Sequence, residues 1–544
     1  MAQPSAENAR RESQPPGRGA EAEQERTPAQ ARHGSYRAGF TFGIMSFLAV
    51  AVFGVASTIA TARIYGVHII GQFAIVSAPV ATLWLVSTAK EQAALIKEIT
   101  SLQPRHPRVT QLFAAVFTFS CGLTVVMALI VAGVSALVFR GPLHHPGLVA
   151  PMLVSLAGYT LVTNTGWNID SIFSAFVAGR QLFWVRLHET LSFLTIAMAL
   201  GLLWHSVWGL VAATIGASLT ALIHRVIAVR PFVRARLSGA AYREGMDALP
   251  GLLRFGLKIT PGGIAQGVSQ QVGIWAIALV APVATVGAYS RAQNVPERLQ
   301  QVNYRIVEVL YPTLVGRRAR GDHSGFDRAL LDTTRYALVG MLLIASVCGG
   351  AAHGILSVFG PGFARAAPAF ALLIAFPALA TITSAQTQAL WSVDRPGLTS
   401  VTSIARVSAT VALTLLLTPR LGIVGPAIAL LAGYLLEMAW KTVVLLPFLS
   451  GPLHETWPAR QRVAVAVAYA FGFVASRSIE RLAPSLGGLL LSLVAGTLAY
   501  VAALFLAGGT NERDRQRVGE LVGTVRARRA HARALQGDPA PIRG

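Results

Sequence analysis

The segment Val283-Ala284-Thr285-Val286-Gly287-Ala288-Tyr289-Ser290-Arg291-Ala292-Gln293-Asn294-Val295-Pro296-Glu297-Arg298-Leu299-Gln300-Gln301-Val302-Asn303-Tyr304-Arg305-Ile306-Val307-Glu308-Val309-Leu310-Tyr311-Pro312 carries three arginines at strict seven-residue spacing. Its length predicts a helix that crosses a bilayer. Seven residues are nearly two helical turns, so Arg291, Arg298 and Arg305 fall within about 40° of arc over about 21 Å of depth. Asn294 and Gln301 share that arc, with Glu308 at its edge. Charge inside a bilayer is costly and faces a bundle interior or a wet cavity. Stacked guanidiniums suit a bulky anion such as phosphate, which arginine grips bidentately. The segment therefore predicts an anion carrier, with Arg291, Asn294, Arg298, Gln301 and Arg305 as substrate-binding residues. The alternative is that Arg291 and Arg305 snorkel to opposite headgroup layers and only Arg298 is truly buried.

Composition agrees with a membrane chain. Of 544 residues, 53% are hydrophobic and 13% charged, with a mean hydropathy of +0.55, whereas a soluble domain carries about 25% charged residues. The net charge of +22 resides in connectors and tails rather than on a stripe interleaved with aromatics, which argues against nucleic acid. Cys121 and Cys348 fall inside apolar stretches and imply neither a disulfide framework nor a metal site. No H-E-x-x-H, P-loop or nucleophile elbow is present, so neither catalysis nor a cofactor is expected.

Stretches long enough to span occur at 39–61, 73–89, 111–138, 149–177, 188–203, 207–224, 259–280, 283–312, 336–357, 367–391, 398–417, 423–448, 463–480 and 486–507. This is an expectation of about fourteen transmembrane helices in an all-α integral membrane protein, with both termini on one side. Connectors on the terminal side hold 21 Lys and Arg. The far side, with adjoining span ends, holds six: Arg63, Arg140, Arg365, Arg420, Arg477 and Arg481. The positive-inside rule then makes both termini cytoplasmic in a multi-pass protein of the cytoplasmic membrane. No far-side connector exceeds about a dozen residues, too few for the external domain that a membrane glycosyltransferase or polymerase uses.

An internal repeat is also legible. Gly71-Gln72-Phe73-Ala74 matches Gly287-Ala288-Tyr289-Ser290 at an offset of 216 residues, Gly179-Arg180 matches Asp394-Arg395 at 215, and Gly209-Leu210-Val211-Ala212 matches Gly422-Ile423-Val424-Gly425 at 213. Two six-helix lobes of parallel topology follow, related by an axis along the membrane normal, with substrate between them. The expected organisation is a disordered cytoplasmic tail (1–35), an N-lobe (36–230), a cytoplasmic linker (231–254), a C-lobe (255–449), two extra helices (450–509) and a basic cytoplasmic tail (510–544).

Within this frame, Ala62-Arg63-Ile64-Tyr65-Gly66 followed by Gly71-Gln72-Phe73, Val286-Gly287-Ala288-Tyr289-Ser290-Arg291-Ala292 followed by Tyr311-Pro312, Phe359-Gly360-Pro361-Gly362-Phe363, and Leu421-Gly422-Ile423-Val424-Gly425 appear in order. Over 36–449 the chain resembles the polysaccharide-flippase branch of the multidrug/oligosaccharidyl-lipid/polysaccharide exporter superfamily. The resemblance implies a V-shaped pair of bundles that opens alternately to each face. It implies a polyprenyl-diphosphate-linked oligosaccharide as cargo, membrane lipid around it, and a polysaccharide polymerase and glycosyltransferases as pathway partners. Two departures bear on close relatives. Gln270-Gln271 stands where many members place an Asp in the seventh helix. Ser57 stands where peptidoglycan-precursor flippases carry an arginine, and Leu83-Trp84-Leu85-Val86 is apolar where they carry an arginine pair. The alternatives are a peptidoglycan-precursor flippase, a cation-coupled multidrug exporter and, from another class, a membrane glycosyltransferase or polymerase.

Further candidates are Asn164 and Asn168, one turn apart on the fourth span, and Gln266 and Gln270, one turn apart on the seventh. Both pairs could meet sugar hydroxyls or serve as interhelical hydrogen bonds. Lys90 could greet a diphosphate at the cytoplasmic end of the second span, or be a solvated interface residue. Asp170 is the candidate for ion coupling, with a buried ion pair as the alternative. Glu437 and Lys441 read as a structural pair four residues apart.

Overall fold

The computed structural model describes residues 29–510 apart from 90, 101, 177, 234–237 and 452–456; side chains are described from residue 52, those of 93, 97, 240–241, 255–259, 261–263, 265–266, 301–309 and 396 excepted. Among the described residues the fold is all-α, without a strand. Its helices are α1 (Ala29–Val86), α2 (Glu91–Ile99), α3 (Pro107–Arg140), α4 (Val149–Gly158), α5 (Asn164–Ala175), α6 (Gly179–Leu203), α7 (Val207–Val229), α8 (Gly239–Val280), α9 (Val283–Ala319), α10 (His323–Gly350), α11 (Ala352–Ser357), α12 (Ala367–Leu373), α13 (Phe376–Ser392), α14 (Pro396–Leu421), α15 (Gly425–Leu445), α16 (Ala459–Leu482) and α17 (Leu486–Leu506). Ten stretches among the described residues are long and apolar enough to cross a membrane. The chain is a multi-pass membrane protein.

Three elements differ from the expectation. The connector expected at 62–72 is helical on both sides of one residue, Gly66, whose φ of 71° and ψ of 169° divide α1 into two arms. A left-handed φ of that kind is strained for side-chain-bearing residues and open to glycine. The stretch 239–254, expected within a linker, is the first third of α8. Leu249 and Leu252 bury there against Val109 and Leu112 of α3, so apolar contact extends the helix beyond the membrane-like segment. The fourth span is also not a uniform helix. A wider turn of π type at Tyr159–Thr163 joins α4 to α5, and such widenings cluster at sites under functional constraint.

The apolar cores give the arrangement of the lobes. One cluster runs through both halves at the side far from the start of α1, joining Ile70, Phe139, Leu148 and Met152 to Val283, Tyr289, Phe363 and Phe370. On the near side the cores are separate. Leu95, Leu112, Phe173 and Leu252 form the N-lobe cluster, and Leu314, Phe326, Leu390 and Leu445 the C-lobe cluster. The lobes still touch on the near side, where Leu85 at the end of α1 packs on Gly267 of α8.

The junction is a helix crossing of the closest kind. A Cβ added to Gly71 would lie 2.8 Å from the carbonyl carbon of Val283, with the oxygen nearer still; one added to Gly287 would lie 2.8 Å from the backbone nitrogen of Gly71, with the carbonyl oxygen of Val67 nearer. Small residues permit such backbone approach in membranes. The contact obeys the repeat: adding 216 to 67 and 71 gives 283 and 287, so Gly71 against Val283 becomes Gly287 against Val67. The pseudo-two-fold axis passes between these two glycines.

Candidate functional site

Helix α9 lies against both arms of α1, and its arginines divide between them. Arg291 lines a cavity of about 200 Å³ with Ile70, Phe73 and Ser77 of the second arm, Gln271 of α8, and Asn294 and Glu297. Its buried Nε has no hydrogen-bond partner. Arg298 turns to the first arm, where the missing side chain of Gly54 makes room: a Cβ there would stand 2.6 Å from the guanidinium. Arg298 completes the wall of a cavity of about 370 Å³ whose remaining lining includes Ser57, Thr58, Arg186, Glu189 and Ser218. The expected ladder is thus not one continuous lining. Seven residues leave a residual rotation of about 20° in a straight helix, and Pro296 removes a backbone bond between the two arginines.

Neither Arg291 nor Arg298 forms an ion pair among the described residues. Both are half-buried, whereas the deeply buried cations there are paired. Arg225, 2% exposed, meets Asp170 at 2.9 Å and Glu189 at 2.9 Å. Arg406 meets Glu437 at 2.8 Å, donates to Ser269 Oγ at 2.9 Å, and lies 4.6 Å from the Tyr434 ring. Lys441 meets Glu437 at 2.8 Å and donates to Thr387 Oγ1 at 2.7 Å. Buried charges are normally paired because desolvation costs several kcal/mol per ion. Two unpaired guanidiniums on cavity walls at the junction of the lobes are therefore the features that the packing does not account for.

The remaining candidates divide as follows. Asn294 joins Arg291 in its cavity. Gln270 is occupied by packing between α8 and α9: its Nε2 donates to Gln300 Oε1 at 3.3 Å, and its carbonyl accepts from Gln293 Nε2 at 2.6 Å. Asn164 and Asn168 are buried inside the N-lobe, where Asn168 Nδ2 donates to Ser120 Oγ at 3.2 Å and to the Asn164 carbonyl at 2.9 Å; they line neither arginine cavity. Asp170 is held by Arg225, as the ion-pair alternative has it. Lys90 lies outside the described residues, as do the side chains of Gln266, Gln301 and Arg305. Among the described residues no cluster of three metal-binding side chains occurs.

Sequence reasoning missed Arg225, counted with the connector after the sixth span. The repeat would have found it, since 225 plus 216 is 441, the position of Lys441. Both lobes carry a buried cation at this register against the helix two before it, with Asp170 in one and Thr387 in the other. The charges differ: Arg225 faces two carboxylates, whereas Arg406 and Lys441 share one.

The sequence profile of a family described as polysaccharide biosynthesis protein matches residues 108–368. Comparison with curated protein sequences finds no match. Among solved structures, the chain is similar to the lipid II flippase MurJ in an inward closed conformation, at 11% identity and a TM-score of 0.63 over 85% of this chain and 98% of that one. It is similar to an inward-facing multidrug resistance MATE family transporter of the MOP superfamily, at 12% identity and a TM-score of 0.55 over 73% and 94%. A MOP superfamily transporter from Pyrococcus furiosus, described as having a binding pocket of reverse polarity, is similar at 11% identity and a TM-score of 0.50 over 76% and 95%. These neighbours are described as a flippase and transporters. The family profile thus covers 261 of the 544 residues, and the likeness to these solved structures shows a shared two-lobe helical fold.

Proposed function

We propose that the chain flips a polyprenyl-diphosphate-linked oligosaccharide across the cytoplasmic membrane for cell-surface polysaccharide export, with both termini cytoplasmic. One observation carries the reading: Arg291 and Arg298 each line a cavity and form no ion pair among the described residues, although Glu297 shares the first cavity and Glu189 the second. A diphosphate supplies the missing charge. Cargo enters from the cytoplasmic leaflet when the near-side contact of Leu85 with Gly267 parts, and the glycine crossing closes the far side. Rocking about that crossing, with the lipid chain left in the bilayer, transfers the headgroup. Arg305 and Gln301 continue the anion path on the same helix, and Asn164, Asn168, Gln266, Gln270 and Lys90 are secondary contacts for the glycan and diphosphate. A coupling cation at Asp170 has to compete with Arg225. Glycosyltransferases upstream and a polymerase downstream are the implied partners.

A peptidoglycan-precursor lipid is the second reading, favoured by the fold's likeness to the lipid II flippase. Against it, Ser57 occupies the wall opposite Arg298 where that branch carries an arginine. The test is transport in a flippase-null strain. Arg298→Ala and Arg291→Ala are expected to lower export at least tenfold at normal membrane abundance, with lipid-linked oligosaccharide accumulating on the inner leaflet. Full export by either variant refutes the anion role of that residue. Accumulation of peptidoglycan precursor instead establishes the second reading.

A further inference from the structure

The far side of this chain is poor in basic residues, with six arginines in its connectors and span ends. Three of the six gather at one place. Arg365, Arg477 and Arg481 line a single cavity of about 690 Å³ between the C-lobe and α16, together with His353, Glu480, Phe473 and a floor of small residues such as Gly349 and Ala371. The one carboxylate in the lining, Glu480, is 6% exposed and already engaged. It accepts from the Gly354 N–H, and its oxygens lie 3.5 Å from Arg477 and 3.8 Å from His353. Arg365 spends its Nε on the Gly362 carbonyl and keeps its terminal nitrogens. Arg481 is exposed and pairs with no carboxylate among the described residues. Three guanidiniums against one carboxylate leave an excess of two positive charges.

The cavity is also graded in polarity. Phe473, Arg477 and Arg481 follow at four-residue intervals along one face of α16, about 12 Å from the first to the last. The apolar end, with Ala371 and Gly349, lies toward the membrane interior, and the arginine end reaches the terminus of α16 beside Pro484. A free anion needs only the second feature. A phosphate-bearing lipid fits both, its phosphate among the arginines and the start of its chain along Phe473. Basic pockets between membrane helices hold headgroups in this way.

We infer that the cleft between α16 and the far-side ends of α10 and α12 is a binding site for a lipid phosphate of the leaflet opposite the termini. It is separate from the arginine cavities at the lobe junction and does not rest on the proposed cargo. Two lipids present the required chemistry: a bulk anionic phospholipid, and a polyprenyl phosphate. The experiment uses full-length protein in nanodiscs and three probes, namely phosphatidylglycerol, polyprenyl monophosphate and diacylglycerol of matched chain length, with inorganic phosphate as competitor. Wild-type protein is expected to retain a phosphate-bearing lipid at least tenfold over diacylglycerol. Arg365→Gln/Arg481→Gln is expected to abolish that preference, and Arg365→Lys/Arg481→Lys to keep most of it with an unchanged elution profile. Preference for phosphatidylglycerol assigns the site to bulk lipid, and preference for polyprenyl phosphate assigns it to the carrier. Equal retention of diacylglycerol, or an undiminished preference in well-folded glutamine variant, overturns the inference. So does binding of inorganic phosphate without any lipid.

Discussion

Replacing Gly71 by alanine tests the lobe junction directly. The added Cβ would stand 2.8 Å from the Val283 carbonyl carbon, with the carbonyl oxygen nearer still, against the 3.4 Å at which ordinary contact begins, so the two helices must part by well over ~0.6 Å. The obstruction is backbone, which cannot turn aside as a side-chain tip can. Overpacking of this kind costs about 1–3 kcal/mol, and 2 kcal/mol is about a 30-fold change in an equilibrium between joined and separated far-side ends. The penalty falls on the joined state alone. A cysteine introduced beside the crossing should therefore react faster with a membrane-impermeant maleimide in Gly71→Ala than in the parent. Gly287→Ala places its Cβ equally close, 2.8 Å from the Gly71 nitrogen, and should accelerate labelling to a similar extent. Unchanged labelling in both variants, at normal expression and folding, would refute the crossing as the contact that closes the far side. A large effect in one and none in the other would refute its two-fold character.

Other outcomes follow from the buried charges. Arg225→Met leaves Asp170 and Glu189 without their shared cation, and is expected to cost about 3–5 kcal/mol, read as a lower unfolding temperature in detergent; Asp170→Asn in the same background should restore part of the loss. Glu437→Gln strands Arg406 and Lys441 together and should destabilise more than Lys441→Met, which leaves the Arg406 pair intact. Asp322 caps α10 by accepting the Gly325 N–H at 2.8 Å, a bond that, with Arg317 nearby, holds its carboxyl below the usual carboxylate range. That stabilisation is complete above the ordinary carboxylate value and disappears as pH falls through the lowered one; the protection of the Gly325 amide relative to its intrinsic exchange rate should fall over that acid interval and be low throughout in Asp322→Ala.

Apolar length and the positions of glycine and proline made the helices legible, because a bilayer demands both long apolar runs and satisfied backbone groups. What they could not convey was the extent of α8, whose first turns are held by Leu249 and Leu252 packing on α3 rather than by hydropathy. The arginines of α9 were visible as a heptad, yet their division between two cavities depends on Pro296, on Gly54 and on α1 presenting two arms. Arg225 lay hidden at the end of a span because its partners, Asp170 and Glu189, come from two other helices. Gln270 shows the converse. Its place on the seventh span was evident from sequence, but its engagement with Gln293 and Gln300 appears only when α8 and α9 are set side by side.

Because Val67 meets Gly287 as Val283 meets Gly71, the contact has the form of an isologous interface, the kind that two identical subunits make around a dyad. A polypeptide of half this length would carry one such edge and could find its mate in a second copy of itself. Fusion of two copies would then leave the seam intact while freeing each half to diverge elsewhere, as the unlike charges around Arg225 and Lys441 have done.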